Sequence, residues 1–161
     1  LAGGIYTLLI VLWLGFLAVI VGQWLFGIGD LMVLNSDGLV ILQANDVNWR
    51  YAGGFCVAFL ALLTVSSLSI TLSCFSDNSI GPIVSTMAII LLFTIIGTLD
   101  VPIFDPIRPY LFTTHMASWR SFFEDPLPWE SIQKSIYILL GHNLLLIGIS
   151  LFTFHRKDIT V

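Results

Sequence analysis

The chain has 161 residues, of which 57% are hydrophobic and 10% are charged, and its mean hydropathy is +0.98. Soluble domains carry about 25% charged residues, so this composition excludes an ordinary soluble domain and predicts a membrane protein. The formal net charge of −4 arises from few residues and argues against nucleic-acid binding.

Four apolar stretches are long enough to cross a bilayer, whose hydrocarbon core of about 30 Å needs about 20 helical residues. They lie at about residues 5–26, 55–75, 82–100 and 132–154. The middle two contain no charged residue before Asp100, and Pro82 suits the first turn of a helix. A buried hairpin of a soluble protein is disfavoured, because soluble helices rarely lack charges for so long. The sequence therefore predicts an all-α integral membrane protein, with residues 1–161 forming a single transmembrane domain.

Two longer connections separate these spans. The first, residues 27–54, is rich in Gly, Asn and Asp, and its apolar run at 39–42 predicts either a strand or an interfacial turn. Trp49 and Tyr51 in this connection are interpreted as interface anchors, with a ligand-contacting loop as the alternative. The second, residues 101–131, mixes prolines with aromatic side chains. This mixture predicts one or two short helices at the membrane interface before the last span.

Polar side chains inside the spans are the candidates for a substrate path. Ser66, Ser69 and Ser73 have the spacing i, i+3, i+7, which places them on one helix face towards another helix or a wet cavity. His142 and Asn143 lie near the middle of the last span. Polar residues at that depth are functional-site candidates by default, although an interhelical hydrogen bond with a neutral histidine explains them equally well.

The chain lacks motifs for catalysis or cofactor binding. It contains no GxxxxGK[ST] phosphate loop, no HExxH and no Gly-rich dinucleotide turn, and Cys56 and Cys74 form no metal-ligand pattern. We therefore expect no catalytic, metal-binding or cofactor-binding residue in this chain. The number of basic residues on each side leaves the orientation of the chain in the membrane open. Four lie on the side of the long connections, namely Arg50, Arg108, Arg120 and Lys134, and two follow the last span, namely Arg156 and Lys157.

Four motifs follow one another along the chain. They are Asn48-Trp49-Arg50-Tyr51 before a span, the turn Ser73-Cys74-Phe75-Ser76-Asp77-Asn78-Ser79, the Pro/aromatic segment from Phe104 to Phe123, and the ending Phe154-His155-Arg156-Lys157-Asp158-Ile159. Taken in this order, they resemble the membrane subunits of type-2 ABC exporters. The turn is similar to the family's S-x-x-x-x-N-x pattern, and the ending is similar to F-x-R-[RK]-D-[IV]. The order and spacing of the motifs are more specific than any one of them.

The resemblance implies a permease subunit with six spans, of which this chain matches the last four. The first two spans and the coupling helix would then precede Leu1. The C-terminus would be cytoplasmic, both long connections would lie outside, and the location would be the cell (inner) membrane. Two permeases, identical or different, would form the substrate pathway in the lipid bilayer, each docked on a separate ATPase that binds ATP and Mg.

The chain itself would then not be an enzyme, since the ATPase activity resides in the separate subunit. The alternative is a four-span membrane scaffold or assembly subunit without a transport role. An integral membrane enzyme is disfavoured, because the spans hold neither paired acids nor a histidine cluster.

Overall fold

The structure is a computed structural model that describes residues 2–27, 29–35, 38–76, 78 and 80–156. Most of the described chain is helical, and a small antiparallel sheet follows the first helix. The elements are α1 (Ala2–Phe26), β1 (Leu31–Asn35), β2 (Gly38–Leu42), α2 (Ala44–Phe75), α3 (Ile80–Thr98), α4 (Phe112–His115) and α5 (Trp129–Arg156), with 3-10 helices at Pro102–Phe104, Arg108–Tyr110 and Ser118–Phe123.

Four of these helices, α1, α2, α3 and α5, are long and apolar enough to cross a membrane. Helix α2 is central, because it packs against each of the other three. The other helix bounds lie within about three residues of the predicted spans, whereas α2 begins at Ala44 instead of 55. Its 32 residues correspond to about 48 Å, so it exceeds the thickness of a hydrocarbon core by several turns.

The first connection corrects the all-α prediction. Its residues 31–42 form a hairpin in which Leu31 pairs with Leu42 and Leu34 with Leu39, so the run at 39–42 is a strand. The segment 44–54, predicted to be loop, is the start of α2. The carboxylate of Asp30 accepts a hydrogen bond of 3.0 Å from the backbone N–H of Ala44. This bond replaces the local cap that Gln43 does not provide, and it ties the hairpin to the start of α2.

The second connection folds back onto the bundle as short helices. Phe112 and Phe122 from this segment are buried in the core. Most of the remaining core comes from α2 and α5, and the buried cluster is Val57, Ala61, Leu68, Phe112, Phe122, Ile132 and Leu139. Nε2 of His115 donates to the carbonyl of Pro109 at 2.9 Å, and its Nδ1 lies 2.9 Å from the hydroxyl of Ser135 on α5. The Pro/aromatic segment is therefore part of the packed structure.

Two predicted features fall partly outside the described residues. Asp77 and Ser79 of the turn after α2 are not described, although Asn78 caps Ile80 by accepting its N–H at 3.2 Å. The basic ending is described only as far as Arg156, the last residue of α5.

Gly53 and Gly54 on α2 offer a matched test of how closely the Pro/aromatic segment packs. A Cβ on Gly53 would lie 2.3 Å from Cε1 of Phe122, whereas the nearest atom to a Cβ on Gly54 would be the carbonyl oxygen of Trp119 at 3.5 Å. We expect Gly53→Ala to lower the free energy of unfolding by about 1–3 kcal/mol through overpacking. Gly54→Ala should be neutral or slightly stabilising, since alanine favours helix by about 1 kcal/mol over glycine.

Thermal unfolding in detergent, followed by circular dichroism, measures both variants against the parent chain. Equal melting temperatures for the two variants would contradict the close contact between α2 and Phe122.

Candidate functional site

The described residues place one hydrogen-bonded polar cluster between α2 and α5, at the depth where the sequence predicted a substrate path. Asn143 on α5 is buried, and its side chain points at α2. Its Nδ2 donates to the hydroxyl of Thr64 at 2.7 Å and to the carbonyl of Leu139 at 3.0 Å. Its Oδ1 accepts from the hydroxyl of Ser67 at 3.0 Å. Asn143 therefore joins the two helices across the core.

The polar side chains of this cluster find their hydrogen-bond partners within the cluster and in nearby backbone carbonyls. The hydroxyl of Thr64 accepts from Asn143 and donates to the carbonyl of Leu60 at 2.9 Å. Both donor hydrogens of the Asn143 amide are used, and its oxygen has a donor. Thr64 and Ser67 are buried together with Asn143. Such a network stabilises helix pairing in an apolar surrounding, and it leaves no free donor for a ligand.

A second polar contact joins the same helices about one turn further along. Oγ1 of Thr71 lies 2.9 Å from the hydroxyl of Ser150 and 3.1 Å from the carbonyl of Leu146. Ser150 also donates to the carbonyl of Leu146 at 3.0 Å. Asn143, Leu146 and Ser150 repeat at i, i+3 and i+7, so one stripe of α5 carries all these contacts.

The three predicted serines lie on a different face from this cluster. Among the described residues, no hydrogen bond joins the side chain of Ser66, Ser69 or Ser73 to another helix. Ser66 lines a groove of about 600 Å³ between α1, α2 and α5. Ser69 is half-buried and Ser73 is exposed. Their role in a substrate path stays a prediction.

The cluster instead uses Thr64, Ser67 and Thr71, which also repeat at i, i+3 and i+7. The two triads have the same spacing on the same helix, so their periodicity alone does not distinguish them. The neighbouring apolar residues show which triad faces the core, because Ala61 and Leu68 share the buried face with Thr64 and Ser67.

His142 lies beside Asn143 but faces another way. Its Nδ1 donates to the carbonyl of Ile138 at 2.9 Å, so this nitrogen carries a proton. The ring packs against Phe112 with centroids 5.7 Å apart, and the side chain is half-buried. Nε2 has no hydrogen-bond partner among the described residues.

Arg50 forms the second buried polar centre, near the first turns of α2. Its Nη1 donates to the carbonyls of Phe122 at 3.1 Å and Glu124 at 2.8 Å. Nη2 lies 4.0 Å from the exposed carboxylate of Asp125. The two carbonyls lie at the C-terminal end of the 3-10 helix Ser118–Phe123, where helical bonding ends and acceptors are left over. Arg50 therefore acts as a cap supplied by another helix.

Aromatic rings surround this arginine. Trp49 stacks on Trp129 with centroids 6.1 Å apart and meets Phe122 edge-on at 6.4 Å. The guanidinium carbon of Arg50 lies 5.5 Å from the centre of the Trp49 ring. The guanidinium is buried beside the Trp49 ring, and this burial strengthens the bonds that Arg50 makes. Trp49, interpreted from the sequence as an interface anchor, also holds the start of α5.

The polar side chains of the described residues are not grouped as metal ligands. Within the described ranges, no three His, Cys, Asp or Glu side chains are grouped so that they hold a metal ion. The polar centres instead join helices and connections. This arrangement supports positioning and packing, whereas the apolar grooves beside α1 provide the open space.

The adjacent serines of α2 test the Asn143 cluster. Ser67→Ala removes the donor to Asn143 and should lower the free energy of unfolding by about 1 kcal/mol, within the range measured for hydrogen bonds between membrane helices. Ser66→Ala makes the same chemical change one position away and should have an effect close to zero. Unfolding titrations in mixed micelles measure both values, and a larger loss for Ser66→Ala would contradict the assignment.

Two arginine substitutions test the cap on the Pro/aromatic segment. Arg50→Gln removes bonds from a charged donor worth about 1.5–3 kcal/mol each, so amide exchange at 118–125 should accelerate by about tenfold or more. Arg120→Gln is the matched control, because Arg120 is exposed and contacts the Trp119 ring instead of carbonyls. Unchanged exchange in the Arg50 variant, measured by mass spectrometry, would show that the aromatic contacts alone hold the segment.

Comparison of the chain with protein-family models, curated proteins and solved structures gives no match. The resemblance to exporter permeases therefore rests on the motifs of this sequence, and a functional assignment has to be argued from the residues and their geometry.

Proposed function

We propose that this chain is the membrane-embedded part of a permease subunit of an ATP-driven type-2 ABC exporter. The chain spans the cell membrane with α1, α2, α3 and α5, and its C-terminus lies in the cytoplasm. It forms the substrate pathway with a second permease. ATP and Mg²⁺ bind to a separate ATPase, since this sequence contains no phosphate loop.

The observation that carries the proposal is the position of the Pro/aromatic segment. Short helices between the third and the last membrane-length helix fold back against the start of α2, where Arg50 and Gly53 hold them. The resemblance implies short helices at this place in the chain order. An ordinary water-exposed loop has fewer buried aromatic residues than this segment, in which Phe112 and Phe122 belong to the core.

The arrangement of the connections also supports the proposal. The hairpin is tied to Ala44, and the Pro/aromatic segment is tied to Arg50, so both long connections lie at the same end of α2. Helix α5 begins beside the second connection and crosses once, so its end lies on the opposite side. With the C-terminus in the cytoplasm, both connections face outside, as the permease topology requires.

The substrate path lies away from Asn143 in this proposal, because that side chain is fully bonded between α2 and α5. The open position is the groove beside α1 that Ser66 lines. His142, which is half-buried, stays a second candidate for the path. The groove is largely apolar, so it suits a hydrophobic or amphipathic substrate.

A membrane scaffold is the second candidate, and one observation favours it. The buried polar side chains of α2 and α5 bond to each other, as expected for helices that pack permanently. The two candidates differ in whether an ATPase accompanies the chain.

The test is isolation of the full-length protein from its native membrane in a mild detergent. We expect a protein with a Walker-motif ATPase sequence to co-purify, and the preparation to hydrolyse ATP. Mass spectrometry identifies the partner, and a point substitution in the Walker lysine of that partner controls for contaminating hydrolysis. A clean preparation without an ATPase would favour the scaffold.

A further inference from the structure

The hairpin between α1 and α2 has two faces with different surroundings. Neighbouring side chains of a strand point to opposite faces, and directly paired residues share a face. From the register, Met32, Leu34, Leu39 and Ile41 lie on one face, here called the outer face. The inner face holds Leu31, Val33, Val40 and Leu42.

The outer face is apolar and uncovered. Its exposed fractions are 68% for Met32, 81% for Leu34, 62% for Leu39 and 54% for Ile41. On the inner face, Leu42 is buried, whereas Leu31, Val33 and Val40 are half-buried. A hairpin with one face in water usually alternates between apolar and polar residues. Here four large apolar side chains stand together where polar ones are expected.

The hairpin lies at one end of the helix bundle. Its strands connect the ends of two membrane-length helices, and Asp30 ties it to the first residue of α2. Exposed Trp24 near the end of α1 and partly exposed Trp49 near the start of α2 lie at the same end. Tryptophan favours the headgroup level of a bilayer, so both helices indicate the same depth.

The backbone restricts how deep the hairpin lies. A two-stranded sheet has two open edges, whose N–H and C=O groups need water or headgroups as partners. These edges exclude a position inside the hydrocarbon core. A position flat on the membrane surface suits both the apolar outer face and the polar strand edges. The outer side chains then enter the acyl region, while the edges stay among the headgroups.

We propose that the outer face of the hairpin docks on the lipid surface as an interfacial anchor beside the bundle. Attraction between its side chains and acyl chains holds it there. The described residues from 29 to 48 include Asp30 and Asp46 and no Lys or Arg, so anionic headgroups add no attraction. The occupant is therefore a zwitterionic or neutral lipid surface. This inference rests on the proposed membrane insertion of the helices.

Spin labels on the full chain in phosphatidylcholine vesicles test the anchor, with Cys56→Ala and Cys74→Ala as background. Labels are placed one at a time by Leu34→Cys and Leu39→Cys, and their collision rates with oxygen and with a water-soluble nickel chelate are compared. Leu91→Cys on the exposed side of α3 is the lipid reference, and Gln43→Cys, exposed and polar, is the water reference.

We expect the ratio of oxygen to nickel collisions at positions 34 and 39 to approach that at 91 and to exceed that at 43 severalfold. Adding phosphatidylglycerol to the vesicles should leave the ratio unchanged. Nickel accessibility at 34 and 39 with a lipid-facing label at 91 would overturn the anchor and leave membrane insertion intact.

Two other outcomes also reject the anchor. Shielding of position 34 from both reagents, with spin coupling between copies, would show that a second chain covers the outer face. Shielding without coupling would show that the chain itself covers it. Nickel accessibility at 91 would instead reject the membrane insertion on which the proposed function depends.

Discussion

The guanidinium of Arg50 is the interaction on which one end of the molecule depends. Helix α2 is longer than a bilayer core is thick, and its first turns hold both long connections. Arg50 supplies donors to the carbonyls of Phe122 and Glu124, which would otherwise be left without partners where the 3-10 helix ends. Burial of Phe122 against Gly53 then follows, since the arginine fixes the backbone that carries this ring. A single charge thus organises a segment that its prolines keep from forming a regular helix.

The polar groups inside the bundle follow a second constraint. In apolar surroundings, an unpaired amide or hydroxyl is strongly destabilising, so a buried asparagine needs every partner in place. Asn143 meets this requirement with Thr64, Ser67 and a backbone carbonyl. His142, one residue further back, bonds through Nδ1 to its own helix, and its Nε2 has no partner in the part of the chain that the structure describes. Neighbouring polar residues on one helix therefore have different roles, which depend on the face each occupies.

The four long helices were predictable because each is a run of apolar residues of membrane length. The hairpin was predicted only in part. A strand at 39–42 was one of two alternatives, but the partner strand was not identified, since both strands are apolar on both faces and lack the alternation that marks a strand. Asn143 was identified from its depth, but its partners were not. Two triads on α2 share one spacing, and only packing separates Ser67 from Ser66. Arg50 lies in the segment 27–54 that was predicted to be loop, whereas in the structure it is on α2 and the folded-back aromatic segment buries it.

The closed network between α2 and α5 has a mechanical consequence. Sliding or rotating one helix against the other by a turn would separate Asn143, Thr71 and Ser150 from their partners at once, so the pair behaves as one rigid body. Helix α1 contacts α2 largely through apolar side chains, and grooves of about 640 and 600 Å³ run beside it. A hydrogen bond of 2.6 Å, donated by Nε2 of Gln23 to Oδ1 of Asn48, ties the two helices together at the end that holds the hairpin. Apolar surfaces shift against each other without losing directional bonds. Conformational change in this fold is therefore expected along the apolar part of the contact between α1 and α2, while α2 and α5 stay fixed against each other.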